Sequence, residues 1–435
     1  MNTYWNKHVE TLSRDEIIAI QTKELKEMVQ YIYTNVPFYF KKMQEKGVTP
    51  QDIKTLSDVK YLPFTTKQDL RDHYPFGLFA AADQDIIRIH ASSGTTGKPT
   101  VAGYTQSDLD NWSELMARSL VCAKVDPKSV VHVAYGYGLF TGGLGAHYGV
   151  EKVGACVVPM SGGNTQRQLM LLEDFKASNI CCTPSYALNL AEAYLANHEN
   201  TKGLSLKTGV FGAEPWTNAM RKEIEKLLNI EAFDIYGLTE MMGPGVAMEC
   251  TCHEGLHVWE DHFLAEIIGE DEQPLPAGEE GELVFTTLTK KGMPLLRYRT
   301  HDLSALNTDV CACGRTHARM RRVKARTDDM LIIRGVNVYP SQIEHTLLKI
   351  EGLTPNYQIV IDRVDTLDTI EIQVELAKNL VSDTVKELEK LRSHIESQIA
   401  AEVLIHAKVK LCQPGSLARS EGKAKRVIDR RQLSQ

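Results

Sequence analysis

The sequence predicts an α/β protein: a large multi-layer N-terminal domain with mostly parallel sheets, followed by a small mobile α+β C-terminal domain. Three observations lead to this reading. From about residue 86 to 290, short apolar runs alternate with amphipathic segments, the pattern of strands joined by crossover helices. A chain of 435 residues is too long for a single hydrophobic core and calls for two or three domains. The character of the chain changes at Arg326-Thr327-Asp328-Asp329, just ahead of the apolar stretch Met330–Ile333.

Taken in order, residues 15–46 read as helix, with Ile17, Ile18, Ile20, Leu25, Met28 and Ile32 near helical spacing and Val36-Pro37 as the turn signal. Val130–Tyr135, Ala155–Pro159, Ile180–Thr183, Thr208–Phe211 and Ala232–Tyr236 read as strands. Helical patterns lie among them at 106–122, 164–178, 185–197 and 216–229. Gly281–Leu288 resembles a strand of a second, antiparallel layer. The domain joint is placed between residues 327 and 328 and is expected to be compact and hinge-like, since no long linker interrupts the chain. Beyond it, a strand is expected over Ile370–Leu376. A helix near 382–400 carries Val385, Leu388, Leu391, Ile395 and Ile399 on one face.

Composition narrows the partners. At 43% hydrophobic and 24% charged residues, the chain has the balance of an ordinary globular protein. A net charge of −7 argues against nucleic acid or an anionic membrane as a bulk partner, so an anionic ligand would need a local cluster of donors. The polar N-terminus lacks the apolar core of a signal peptide, and no run reaches the roughly 18 apolar residues that span a bilayer. Nine cysteines in such a chain read as reduced thiols or metal ligands rather than a disulfide framework. A cytoplasmic location is expected.

Ser92-Ser93-Gly94-Thr95-Thr96-Gly97-Lys98-Pro99-Thr100 is the most informative stretch. Its small residues let backbone N–H groups approach an anion, while its hydroxyls and lysine add donors for phosphate oxygens. Only two residues separate its glycines, so it is not a Walker loop. Alone, it could equally be a solvated surface turn. Two further motifs follow strands, where open α/β sheets bind ligands: Gly212-Ala213-Glu214-Pro215 after Phe211, and Tyr236-Gly237-Leu238-Thr239-Glu240 after Ile235. The stretch from Ala134 to Gly143 mixes glycines with Tyr135, Tyr137 and Phe140, a composition suited to a flat aromatic acid or to a turn over the core. Cys250, Cys252, His253 and His257, with Cys311 and Cys313 some sixty residues on, have the grammar of a tetrahedral zinc site. The best set is Cys250, His257, Cys311 and Cys313; reduced free cysteines are the other reading.

With these motifs in order, joined by Arg299-Thr300-His301-Asp302, Arg334-Gly335-Val336-Asn337-Val338-Tyr339-Pro340 and Arg419-Ser420-Glu421-Gly422-Lys423, the chain resembles the adenylate-forming acyl-CoA synthetase superfamily over essentially its whole length. Within it, the phenylacetate–CoA ligases are most similar. The resemblance implies a two-step reaction: ATP and a carboxylate give an acyl-adenylate and pyrophosphate, then the CoA thiol displaces AMP. It implies that Thr95, Thr96, Gly97 and Lys98 wrap the β and γ phosphates, and that Gly212 to Pro215 flank an adenine on which Tyr236 stacks. It likewise puts Thr239 on the α-phosphate, Glu240 on Mg²⁺, Asp302 and Arg326 on the ribose, and Gly335 beside the pantetheine arm. Lys423 becomes the lysine of adenylation and Asp328 the hinge. Many relatives carry Gly where this chain has His301, which is read as a subfamily trait. An adenylating relative with a non-CoA acceptor, or a nucleotide-binding protein without catalysis, are the alternatives; intact Glu240 and Lys423 speak against the last. The partners are then an aryl carboxylic acid, ATP or AMP and CoA, with the assembly state open, a homodimer included.

Overall fold

The computed structural model describes residues 4–92, 99–326, 329–334, 336–364, 367–377, 385–420, 422 and 424–431. The roles expected of Ser93, Gly94, Thr95, Thr96, Gly97, Lys98, Asp328, Gly335 and Lys423 therefore lie outside the described residues. The chain forms two compact units, Met1–Cys182 with Lys202–Ala213 and Ile230–Val323, and Thr183–Thr201 with Glu214–Asn229 and Lys324–Gln435.

The first unit is organised by a nine-stranded sheet. Its parallel half runs Cys156–Val158, Val130–Val133, Asn179–Cys182, Thr208–Gly212 and Glu231–Leu238. The other half continues antiparallel through Gly243–Glu249, Leu256–Val258, Arg319–Met320 and Leu306–Asn307. The parallel strands coincide with the apolar runs of the sequence, because a strand covered on both faces has no polar side. Phe263–Ile268, Gly281–Thr287 and Tyr298–Ser304 pair in order as the antiparallel layer expected around residue 281. Arg88–Ala91 and Val101–Tyr104 form a separate antiparallel hairpin around the Ser/Thr/Gly stretch.

The segment read as one helix over 15–46 is two, Arg14–Asn35 and Pro37–Glu45. Ser13 and Glu16 form a capping box at the start of the first. Pro37 forces Val36 into extended backbone at φ −118°, which ends one helix and starts the next at its favoured N1 position. Helix Gln106–Cys122 starts at a Thr105/Asp108 capping box and buries Trp112, Leu115, Met116 and Leu120. Against it lies a helix that the sequence pattern does not announce, Thr141–Val153. Its glycines are a packing requirement: a Cβ on Gly145 would stand 2.7 Å from the Trp112 ring, and one on Gly149 2.5 Å from the Met116 Cβ.

The second unit holds a four-stranded sheet in the order Lys408–Cys412, Leu367–Leu376, Leu353–Val364, Val427–Asp429. The central pair is antiparallel and both outer pairs are parallel. Helices Pro340–Leu347 and Val385–Val403 share its core, where Ile343, Leu347, Ile359, Ile372, Val374, Ile395 and Ile399 are buried. Helices Pro184–Leu195 and Asn218–Leu228 belong to the same unit, although in chain order they follow strands of the large sheet.

Candidate active site

A tight turn of the large sheet carries the residues of interest. Strand Glu231–Leu238 ends in Thr239-Glu240, and the chain reverses at once, Met241 N–H bonding Leu238 O at 3.1 Å. Gly237 makes this reversal possible, since a Cβ there would stand 1.9 Å from the Gly243 carbonyl oxygen. Thr239 and Glu240 end up buried at the carboxyl end of a parallel strand, the usual ligand side of such sheets.

A chain of hydroxyls joins this turn to the foot of the Ser/Thr/Gly stretch. Ser92 Oγ lies 2.6 Å from Thr100 Oγ1, and Thr100 Oγ1 donates to Glu240 Oε1 at 2.9 Å. The backbone closes the hairpin below, Ser92 N–H donating to Thr100 O at 2.9 Å. The two ends of the anion-type loop are thus fixed beside the Glu240 carboxylate. Among the described residues its Oε1 accepts this hydrogen bond and its Oε2 accepts none.

Two residues that no motif signals hold the turn from beneath. Tyr104 donates its hydroxyl to Thr239 O at 3.1 Å, and Lys290 donates Nζ to Glu240 O at 3.0 Å. Lys290 is fully buried, 4.5 Å above the Tyr104 ring, and burial pulls its ammonium down to about 8 despite the carboxylates of Asp108 and Glu240. Asp108 in turn accepts from Lys291 N–H at 2.6 Å and Gly292 N–H at 2.8 Å. A lone Lys-Lys pair ahead of Gly292 reads as surface charge, and only the fold shows that one member is interior.

Tyr236 and Asp302, placed on base and ribose by the resemblance, are brought together: the Tyr236 hydroxyl donates to Asp302 Oδ2 at 2.6 Å. The Tyr236 ring lies 6.1 Å from that of Phe285, tilted by 30°. Gly212 closes its strand where a Cβ would meet Ile235 O at 2.3 Å, and Ala213 follows in left-handed backbone at φ 69°. Of the aromatic residues after Val133, Tyr135 is buried in the core, whereas Tyr137 and Phe140 are half-buried, Phe140 heading helix Thr141–Val153.

In the second unit, Glu214 grips two backbone segments, accepting from Ser185 N–H at 2.7 Å and from Ala424 N–H at 2.8 Å. Thr183 caps helix Pro184–Leu195 and donates to Gly422 O at 2.9 Å. Both neighbours of Lys423 are therefore fastened to one helix N-terminus. Pro215 follows Glu214, and Arg326 lies 3.7 Å from Asp329.

The Cys/His segments also converge. The ligand atoms of Cys250, His257, Cys311 and Cys313 all lie within 4.8 Å of one another in the first unit. Cys252 is half-buried outside this group, and His253 pairs with Glu231 and Glu249.

The fold is that of the AMP-binding enzymes. The family model described as AMP-binding enzyme matches residues 16–288, and that of the AMP-binding enzyme C-terminal domain matches residues 335–431. The phenylacetate-coenzyme A ligase of Escherichia coli is 52% identical over 98% of this chain and 97% of its own. That of Thermus thermophilus is 51% identical over 98% and 99%. The crystal structure of 2-hydroxyisobutyryl-CoA ligase in the postadenylation state in complex with 2-HIB-AMP superposes with a TM-score of 0.93 at 29% identity, covering 99% of this chain and 93% of that one. The chain belongs to the AMP-binding enzymes, in their phenylacetate–CoA ligase family. Among the described residues no helix is long and apolar enough to cross a membrane.

Proposed function

We propose that this protein is an AMP-forming arylacetate–CoA ligase of the cytoplasm, with phenylacetate, the acid in its relatives' names, as substrate. The near-full-length identity of 52% to such a ligase carries the reading, and the Thr239–Glu240 turn supplies its chemistry. Adenylation brings a carboxylate to a polyphosphate, so positive charge must be supplied where the two anions meet. Glu240 would hold Mg²⁺, which when bound would supply positive charge beside the phosphates. Thr239 donates to the α-phosphate, and Tyr104 and Lys290 hold both residues by their carbonyls. The Thr95–Lys98 loop takes the β and γ phosphates from its anchored ends. Gly212, Ala213, Glu214, Pro215 and Tyr236 border the base, with Asp302 and Arg326 on the ribose. Lys423 offsets charge on the carboxylate and bridging oxygen during the first step.

For the second step we assign Asp328 as the pivot of a small domain starting there, and Gly335 as the close-approach point for the CoA arm. Tyr137 and Phe140 face the acyl group, and Tyr135 supports them from the core. The Cys250, His257, Cys311 and Cys313 set is assigned a structural zinc. The partners are small molecules, with neither nucleic acid nor membrane among them. Pyrophosphate release over a panel of carboxylic acids, with and without CoA, tests the reading. Acyl-CoA formation fastest with arylacetates is expected; pyrophosphate release with no acyl-CoA formed from the acyl-adenylate when CoA is present would overturn the choice of acceptor.

A further inference from the structure

The Cys/His quartet sits where the beginning of the chain meets the large sheet. We propose that it holds a zinc ion whose role is to clasp residues 4–14 to that sheet, an inference that rests on the zinc assignment above. The geometry fits the metal. A tetrahedron with the usual Zn–S and Zn–N lengths has S–S edges of about 3.8 Å and S–N edges of about 3.5 Å. Cys250 Sγ lies 3.7 Å from Cys311 Sγ, and Cys313 Sγ lies 3.5 Å from His257 Nε2. The other edges, none above 4.8 Å, close with side-chain shifts of about 1 Å. A sulfur separation of 3.7 Å is far outside a disulfide bond, and all nine cysteines are free. The imidazole is oriented as well: His257 Nδ1 lies 3.2 Å from His317 O, which leaves Nε2 as the ligating nitrogen.

The same loop is fastened to the N-terminal segment at every turn. Tyr4 donates its hydroxyl to Cys313 O at 2.6 Å, and Gly314 is required beneath it, since a Cβ there would lie 2.4 Å from that hydroxyl. Arg315 lies 3.7 Å from Cys313 Sγ, donates Nε to Glu10 Oε2 at 2.7 Å, and covers the Tyr4 ring at 4.8 Å. Glu10 is fully buried, its Oε1 accepting from Trp5 N–H at 2.9 Å and Asn6 N–H at 2.7 Å. His317 Nε2 reaches Val9 O at 2.9 Å. Three thiolates and a neutral imidazole around Zn²⁺ leave one negative charge, which the Arg315 guanidinium faces. Fixing Cys311 and Cys313 on the ion therefore fixes the turn to which Tyr4, Val9 and Glu10 are tied.

Elemental analysis of protein purified without metal affinity, followed by hydrogen exchange before and after zinc removal, tests this. About one zinc per chain is expected. On removal, protection over residues 4–14 should fall at least about tenfold, while helix Thr165–Asp174 keeps its own. Cys311→Ser should reproduce the loss; should it fail to fold, the stripped wild-type protein gives the same readout. Less than about 0.2 zinc per chain, with exchange unchanged in chelator, would overturn the metal and the clasp together. Full zinc content with unchanged protection at 4–14 after removal, or equal loss throughout the first unit, would overturn the clasp and leave the zinc.

Discussion

Arg297→Met is expected to destabilise the first unit by more than its size suggests. Arg297 is 2% exposed and Glu266 7%, and they form a forked pair, Nε to Oε2 at 3.2 Å and Nη2 to Oε1 at 3.0 Å. The remaining Nη1 donates to Lys60 O at 2.9 Å, and the guanidinium lies 4.0 Å from the Phe64 ring centre. Removing the arginine strands a buried carboxylate, which costs about 3–5 kcal/mol. Arg297→Met with Glu266→Leu leaves the Lys60 and Leu62 carbonyls without their shared donor, about 1–3 kcal/mol. The double variant should therefore be the more stable of the two in urea unfolding at pH 7. Burial already raises the Glu266 pKa above its usual value, with Arg297 opposing, and it rises further without Arg297. A carboxyl raised in the folded state gives stability that is present below its unfolded pKa and lost as pH climbs through the folded one. The deficit of Arg297→Met should accordingly shrink from pH 8 toward pH 5. A single variant as stable as the double, with a flat pH profile, would refute the reasoning. The matter reaches the site, because strand Tyr298–Ser304, which begins beside Arg297, carries Asp302.

Other outcomes follow from the same geometry. Lys423→Ala should slow adenylation by roughly 10²–10³ while sparing thioester formation from supplied acyl-adenylate, and equal loss in both half-reactions would sink its role. Glu214→Ala frees the Ser185 and Ala424 N–H groups and should cut pyrophosphate release by roughly tenfold, at about 0.5–1.5 kcal/mol per bond; unchanged release would mean that its grip does not position Lys423. Gly237→Ala places a methyl 1.9 Å from Gly243 O and should lower stability by about 1–3 kcal/mol together with activity, as read by melting and pyrophosphate release. Wild-type melting in that variant would show that the hairpin gives way at no cost.

The parallel strands are legible in the sequence because burial on both faces leaves nearly continuous apolar runs, as at Asn179–Cys182. Helix Thr141–Val153 is not, because Gly142, Gly143, Gly145 and Gly149 erase its propensity, and Trp112 and Met116, whose closeness requires the last two, lie on another helix. The Thr239–Glu240 turn announces itself by position after a strand. Its supports do not: Tyr104, Asp108 and Lys290 act through long-range hydrogen bonds that no local spacing encodes. The four Cys/His side chains that converge are the set chosen from the sequence, although Cys252 and His253 share their residue types and neighbourhood, and their junction with Tyr4 and Glu10 is visible only in three dimensions.

The make-up of the second unit bears on how such enzymes can be recombined. Its helices Pro184–Leu195 and Asn218–Leu228 come from the middle of the chain, yet Thr183 and Glu214 bond the backbone around residue 423. A chimera spliced only near residue 324 would graft a foreign tail onto a native Thr183 and Glu214. Transplanting 183–201 and 214–229 with the tail keeps those bonds within one parent, so the practical crossover is three exchanges rather than one.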